Sequence, residues 1–446
     1  MRETRVAQAS IFENYSKHEF GTRLKTLSNI LDQHPGILTL LTKDLIGESI
    51  SEVGRMGLSI DSIFRCLLLK QLLAVSYEKL AFHLSDSMTY RTFARIPNDQ
   101  SPSRSGLQST IRKIAPETLE KVHQTLSKSW LQQGILSMDK LRIDSTVVAS
   151  NIAPPSDSQL LNDGIRVLSR LQVKSKKVTG VKIRFTDYRK TSNSLAFRIF
   201  NAKYTGKEAL YPDLLKLARQ VLKQIDRALH RVRAESSDLE QKEKWVRGAE
   251  HYKGLLLKVI NQTERRVIRK EDVHSSEKIV SLFEPHTDII VKGFRDIQYG
   301  HKINISSEEN GFITYLCIEK GNPADSSLFI PVLDYHQRTL NCLPGSAVAD
   351  GGYASQLNVT EGRALGVKRV VFQKPVGLSY HAMGVKKKTF KCLSHFRAGI
   401  EGNISELKRV FGASKATWKG HDGFKAFVWS SVISYNLVRL ARLQSG

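Results

Sequence analysis

Residues 394–408 read SHFRAGIEGNISELK, and this stretch decides how the rest of the chain is read. Arg397, Glu401 and Lys408 are spaced four and seven apart. On an α-helix those offsets stack the three side chains along one face. Ile400, Ile404, Leu407 and Val410 supply apolar side chains for burial. A carboxylate set between two cations also suits plain intrahelical ion pairs, so the helix alone leaves both readings open.

Two upstream aspartates sit in a different setting. Asp144 lies inside residues 141–148, LRIDSTVV, a β-branched run with the signature of a strand. Asp350 ends the run SAVAD at 346–350 and is followed by Gly351 and Gly352, a strand giving way to a tight turn. A carboxylate inside an apolar strand is costly to bury unless it is paired or binds a metal. Two such strands and a helix-borne Glu401 give three converging carboxylates. Such a set suits hard, oxygen-seeking cations such as Mg²⁺ or Mn²⁺.

The order Asp144, Asp350, Glu401, with Arg397 and Lys408 around the last, resembles the DDE transposases of bacterial insertion sequences. More narrowly, the phrases FEPHTDIIVKG, YGHKINI, GNPADSSL, VADGGYAS and YNLVRLAR resemble the ISNCY-like group. The resemblance runs over most of the chain. One departure is local: the related motif has a Tyr three residues before the Arg, and here that position is Ser394.

Charge agrees with a polyanionic partner. The chain has 446 residues and a net charge of +25, which makes nucleic acid the expected partner. Residues 366–446 carry 15 Lys/Arg against three acids, and residues 165–280 carry 28 against 13. Both regions are candidate DNA-contact surfaces, with salt-sensitive binding. Four widely separated cysteines without a CxxC give no support to a zinc site or a disulfide framework, and fit a reducing compartment. No signal-peptide core and no membrane-spanning run is evident. A cytoplasmic, nucleoid-associated protein is expected.

In chain order, residues 1–135 read as helical, with Ser59 and Ser76 as candidate caps. Their short basic helices suit a helix-turn-helix or a plain bundle; the phrase at 67–93 resembles the N-terminal domain of insertion-sequence transposases and implies recognition of terminal repeats. After the Asp144 strand, 157–171 resumes as a helix, with Asp163 read as a capping or surface charge. Residues 174–203 are basic and poorly periodic, with Phe185, Tyr188, Phe197 and Phe200 among the cations; both DNA contact and packing are open. Two amphipathic helices follow at 213–234 and 239–267, separated by Ser236 and Ser237. From 286 the texture changes to strands: 300–306 and 311–319 around a turn at 308–311, a helix at 325–338 capped by Asp325, the Asp350 strand, a helix near 355–365, a strand at 367–373 and the Glu401 helix. Residues 423–443 read as a packing helix, with Asn436 and Arg439 as its polar edge.

Setting the helical excursion aside, the order is β-β-β-α-β-α-β-α. The expected fold class is α/β: a ribonuclease-H-like mixed sheet with a helical insertion after the first strand, plus an N-terminal helical domain. The expected domains are a DNA-binding domain at 1–135, a catalytic domain at 136–155 and 286–446, and an insertion at 156–285.

The resemblance implies metal-dependent cleavage at the element's ends and strand transfer into target DNA. It implies two Mg²⁺ ions (Mn²⁺ substituting), with Asp144 bridging both, Asp350 on one and Glu401 on the other. Arg397 and Lys408 are then the phosphate contacts, Ser394 a helix cap that also bonds phosphate, and Trp418 a stacking platform or a core residue. His301 is read as structural. A homodimer or larger assembly on DNA is expected because two ends must be joined. A DNA-binding domesticated relative without transfer activity, or a Mg²⁺ nuclease of the same fold, are the alternatives.

Overall fold

The computed structural model describes residues 3–5, 15–46, 57–97, 99–202, 204–235, 239–292, 296–373 and 378–445. The chain divides into two compact units, Met1–Ser150 with His301–Gly446, and Asn151–Gly300. The first unit therefore takes in the N-terminal helices together with the expected catalytic segments, and the second begins and ends outside the expected 156–285.

The first unit opens with α1 (Glu19–Asp32), α2 (Gly36–Ile46), α3 (Ile60–Leu73), α4 (Tyr77–Asp86), α5 (Met88–Ala94), α6 (Arg104–Ile111) and α7 (Pro116–Gln132). Serine hydroxyls start several of them. Ser59 accepts from Ser62 N at 3.1 Å and Ser76 from Lys79 N at 3.2 Å, each satisfying a backbone donor that the helix cannot. Helix α3 is buried almost all round, from Ile60 to Gln71. A helix so enclosed is a core element rather than a groove reader.

The second unit holds α8 (Asp157–Thr179), α9 (Arg189–Asn201), α10 (Tyr204–Lys207), α11 (Tyr211–Glu235) and α12 (Leu239–Thr263). Leu214, Ala218, Val221, Ile225, Leu229 and Val232 recur at helical spacing on α11 and are buried in this unit's core, against Leu161 and Ile165 of α8 and Leu256 and Val259 of α12. The serine pair 236–237 lies outside the described residues. The region that reads as aperiodic is helical over most of its length: α8 runs to Thr179 and α9 follows. Tyr188 packs against the core, whereas Phe197 and Phe200 are exposed. Asp163 accepts from Gln159 and Arg166 along α8, but its side chain is only 13% exposed, so it is a largely buried ion-pair acid rather than a surface charge.

The strands are β1 (Lys140–Ser150), β2 (Asp288–Lys292), β3 (Asp296–Glu308), β4 (Ile313–Ile318), β5 (Ser346–Ala349), β6 (Arg369–Phe372) and β7 (Lys415–Ala416). Strand β2 pairs antiparallel with the first residues of β3, within the second unit. In the first unit the sheet order is β4-β3-β1-β5-β6, with β7 beside the end of β1. Strands β3 and β4 are antiparallel, from Ile303 opposite Ile318, whereas β1, β5 and β6 are parallel. That mixed order is the one expected of a ribonuclease-H-like sheet.

Three more α-helices accompany these strands, α13 (Phe329–Tyr335), α14 (Gln356–Ala364) and α15 (Lys387–Arg409), and α16 (His421–Ser445) closes the chain. Leu67, Trp130, Phe312, Phe424, Phe427 and Val432 belong to one core that joins the N-terminal helices to α16 and the β3–β4 hairpin. Ile143, Phe329, Val348 and Phe372 form another around β1, β5 and α13. Each such side chain stabilises the fold by about 1.5–3 kcal/mol on burial. Asn436 is more than a polar edge: it exchanges hydrogen bonds with Ile313 N and O at 2.9 and 2.8 Å, tying α16 to β4. Arg439 donates to Asn310 O in the hairpin turn at 2.6 Å.

Candidate active site

Asp144 lies mid-way along β1, and Asp350 directly follows β5. The two strands pair in parallel, with Arg142 opposite Val348. Two residues further on, the same register sets Asp144 beside Asp350 on one face. Each aspartate fixes one of its oxygens locally: Asp144 Oδ1 accepts from Ser145 N at 2.8 Å and Asp350 Oδ1 from Gly352 N at 2.9 Å. The second oxygen of each is left to face the helix.

Helix α15 packs against β1, β5 and β6. Its approach to β1 is close at Gly399, where a Cβ would collide with the Arg142 guanidinium. Arg142 in turn donates to Ser307 Oγ at 2.8 Å and lies 4.9 Å from the centre of the Phe396 ring. This docking brings Arg397 and Glu401 to the strand ends.

The three carboxylates converge on one guanidinium. Arg397 Nη2 is 2.7 Å from Asp144 Oδ2 and 3.9 Å from Asp350 Oδ2, and Nη1 is 2.7 Å from Glu401 Oε1. Three carboxylates against one guanidinium leave a net charge of two negatives at this point. Side-chain exposure rises from 14% at Asp144 through 39% at Asp350 to 66% at Glu401, so the cluster opens toward solvent on the helix side. Arg397 Nε is buried without a hydrogen-bond partner among the described residues. In ligand type an all-oxygen donor set with surplus negative charge suits a hard divalent cation, but here the acids are spread around the guanidinium and their oxygens do not all come within 4.8 Å of one another.

A fourth acid stands behind the cluster. Asp325 accepts from Ser145 Oγ at 2.9 Å and pairs with Lys302 Nζ at 2.6 Å. A Cβ on Gly352 would lie 3.0 Å from Asp325 Oδ2 and 3.2 Å from Asp350 Oδ1, so no side chain fits between the two acids. Burial first, and then the charges of Asp325, Asp144 and Asp350, raise the Tyr353 phenol well above its usual range. It stays protonated and donates to Asn304 Oδ1 at 2.9 Å. Asp325 was expected as a helix cap, but the cap is Ala324 and Asp325 turns to β1 instead. Its appearance in the phrase GNPADSSL was the one sequence signal for it, as YGHKINI was for Lys302; Gln373, which lies 3.5 Å from Arg397 Nη1, was not singled out.

The other expected residues fall elsewhere. Ser394 is no cap: α15 begins at Lys387, two turns earlier, and the buried Ser394 Oγ has no hydrogen-bond partner among the described residues. Lys408 is in the last turn of α15. Trp418 is 7% exposed, stacked on Tyr77 with ring centres 6.3 Å apart and edge-on to Phe427. His301 is buried against Phe424 and His421.

Among known families, the model of the Transposase DDE domain matches residues 298–437, and that of the Transposase domain (DUF772) matches residues 12–113. The first segment contains Asp350 and Glu401, and Asp144 lies outside both. No curated protein and no solved structure matches the chain. No helix among the described residues is long and apolar enough to cross a membrane.

Proposed function

Because the chain is a DDE-type transposase of the insertion-sequence kind, a family of enzymes that act on DNA with divalent metal ions, we propose that Asp144, Asp350 and Glu401 are its catalytic carboxylates. The observation that carries this reading is their convergence on Arg397 from two strands and a helix. Asp144 Oδ2, Asp350 Oδ2 and the Glu401 carboxylate are the atoms that would hold two Mg²⁺ ions, with Mn²⁺ as substitute. Such ions activate an attacking oxygen and steady a leaving one.

The chain's own side chains orient the reaction. The Ser145 and Gly352 amides fix the carboxylates of the two aspartates, so that one oxygen of each points inward. Arg397 balances the surplus negative charge and turns its Nη donors to a DNA phosphate when the carboxylates take their metal; Lys408, further along the helix, grips the backbone. Water attack on the phosphodiester at the element's end frees a 3′-hydroxyl, which then attacks a target phosphate and displaces the 3′-oxygen there. The N-terminal helices hold the terminal repeats, two ends are joined by a dimer or larger assembly, and the protein works in the cytoplasm on the nucleoid. The narrower ISNCY-like placement rests on the sequence phrases.

Strand transfer tests this. Purified protein is incubated with duplexes carrying its element's ends, a target plasmid and Mg²⁺ or Mn²⁺. Joined products are expected, and are lost in Asp350→Asn. Cleavage without joining would make the protein a nuclease, and end binding without metal-dependent chemistry would leave only a DNA-binding role.

A further inference from the structure

A cleft of about 410 Å³ lies in the first unit, away from the carboxylates, between the start of α4 and the segment around β7. Its lining is strongly basic: Lys70, Arg104, Arg112, Lys415 and Lys419 against the single acid Glu78. Glu78 is exposed and 4.0 Å from Arg104, which leaves it little reach into the interior. The segments matched by the two transposase families meet here, since Lys70 and Arg112 belong to one and Lys415 and Trp418 to the other.

Three polar groups in this cleft have no hydrogen-bond acceptor among the described residues. Lys70 is 5% exposed, and its Nζ makes no hydrogen bond or ion pair among the described residues; it lies 5.0 Å from the Tyr77 ring centre and 5.8 Å from that of Trp418. Tyr77 Oη and Trp418 Nε1 are buried and likewise have no hydrogen-bond partner among the described residues. Burial pushes the Lys70 ammonium down to about 8, so it still carries most of its charge at neutral pH. A largely buried lysine with no ion-pair partner among the described residues, beside two buried donors without acceptors, is costly, and these groups call for an explanation. A missing anion supplies one: the three residues line the same cleft, and the surrounding cations would draw an anion in.

The place of the cleft says which anion. Lys415 pairs with Ala149, five residues beyond Asp144 on β1. At about 3.4 Å per strand residue, the cleft begins roughly 17 Å from Asp144. DNA advances about 3.4 Å per nucleotide, so this span corresponds to about five nucleotides.

We propose that this cleft binds one backbone phosphate of the DNA, about five nucleotides from the bond that is cut, through Lys70 Nζ, Tyr77 Oη and Trp418 Nε1. The proposal rests on the reading of the chain as a transposase with Asp144 in its active centre, and it assigns Trp418 a hydrogen-bonding role in place of a stacking one.

The test is DNA binding by the full chain in metal-free buffer, measured with a fluorescent end duplex over a range of salt concentrations. Lys70→Met keeps the length of the side chain and removes its charge. It is expected to bind about tenfold more weakly at low salt, with a salt slope shallower by about one. Its melting temperature should equal or exceed that of the wild type, because an unpaired buried charge is gone. Trp418→Phe keeps a ring and removes only Nε1–H; it should lose affinity several-fold with the slope unchanged. If both variants bind with wild-type affinity and slope, the proposal is overturned. If orthophosphate raises the melting temperature of the wild type but not of Lys70→Met while the DNA slopes agree, the cleft takes a free anion and the proposal is likewise overturned. A wild-type protein that binds no duplex at all instead overturns the DNA reading on which the proposal rests.

Discussion

Arg397 Nη2 donates to Asp144 Oδ2 at 2.7 Å, across 253 residues of chain. The same guanidinium bonds Glu401 at 2.7 Å, so one side chain balances acids from a strand and a helix. Replacing it should leave a largely buried carboxylate uncompensated. Arg397→Gln is expected to lower unfolding stability by about 3 kcal/mol, measured by urea unfolding without divalent ions. Added Mn²⁺ should recover more stability in the variant than in the wild type, because the cation replaces the missing positive charge. Equal stability of the two proteins without metal would contradict this account of the cluster.

Asp325 and Lys302 form a second pair behind the site, at 2.6 Å, with the Lys302 side chain 6% exposed. Asp325→Asn strands that buried ammonium and is expected to cost about 3 kcal/mol. It should also slow strand transfer, since Ser145 Oγ loses its charged acceptor beside Asp144. Lys302→Met combined with Asp325→Asn should regain most of the stability but not the rate. A double variant as unstable as the single one would show that Lys302 is not the cause.

Much of this site was legible in the sequence, and the reason is local. Asp144 interrupts an apolar strand, Asp350 stands at a strand-to-turn junction, and Glu401 shares a helix face with Arg397; each is visible within a few residues. Asp325 was misread because its partners, Ser145 and Lys302, are brought to it only by the folded sheet. Ser394 was misread because α15 begins at Lys387 with no capping side chain to mark its start. Helix α9 was missed because its buried positions, Ser192, Leu195, Ala196 and Ile199, are few and partly small, while Phe197 and Phe200 face outward and blur the period. The N-terminal helices read as a separate domain because their apolar faces do not reveal that α16, some 300 residues later, completes their core.

Two histidines make the fold acid-sensitive. Burial lowers His123 and His336 from the ordinary 6.5 to about 4 each. His123 Nε2 bonds Ile313 O at 2.8 Å, and His336 bonds Val332 O at 2.7 Å and Thr314 Oγ1 at 2.9 Å. In the unfolded chain both take up protons near 6.5, whereas in the folded one they resist until about 4. Their contribution is therefore complete above about pH 6.5 and is lost as the pH falls toward 4, by up to about 3 kcal/mol for each. Urea unfolding at pH 7 and pH 4.5 checks this, and His336→Gln should make the decline shallower. A wild-type stability that is flat across this window would contradict the assignment.

Whether Asp144 holds the metal is the central question, since this residue lies outside both matched family segments. The direct measurement is strand transfer by Asp144→Cys in Mg²⁺ and in Mn²⁺. A thiolate is a poor ligand for Mg²⁺ and a better one for the softer ion. The expected result is a loss of about a thousandfold or more in Mg²⁺, partial recovery in Mn²⁺, and unchanged binding to end duplexes in both. Full activity of Asp144→Cys in Mg²⁺ would contradict the claim that Asp144 is a catalytic metal ligand.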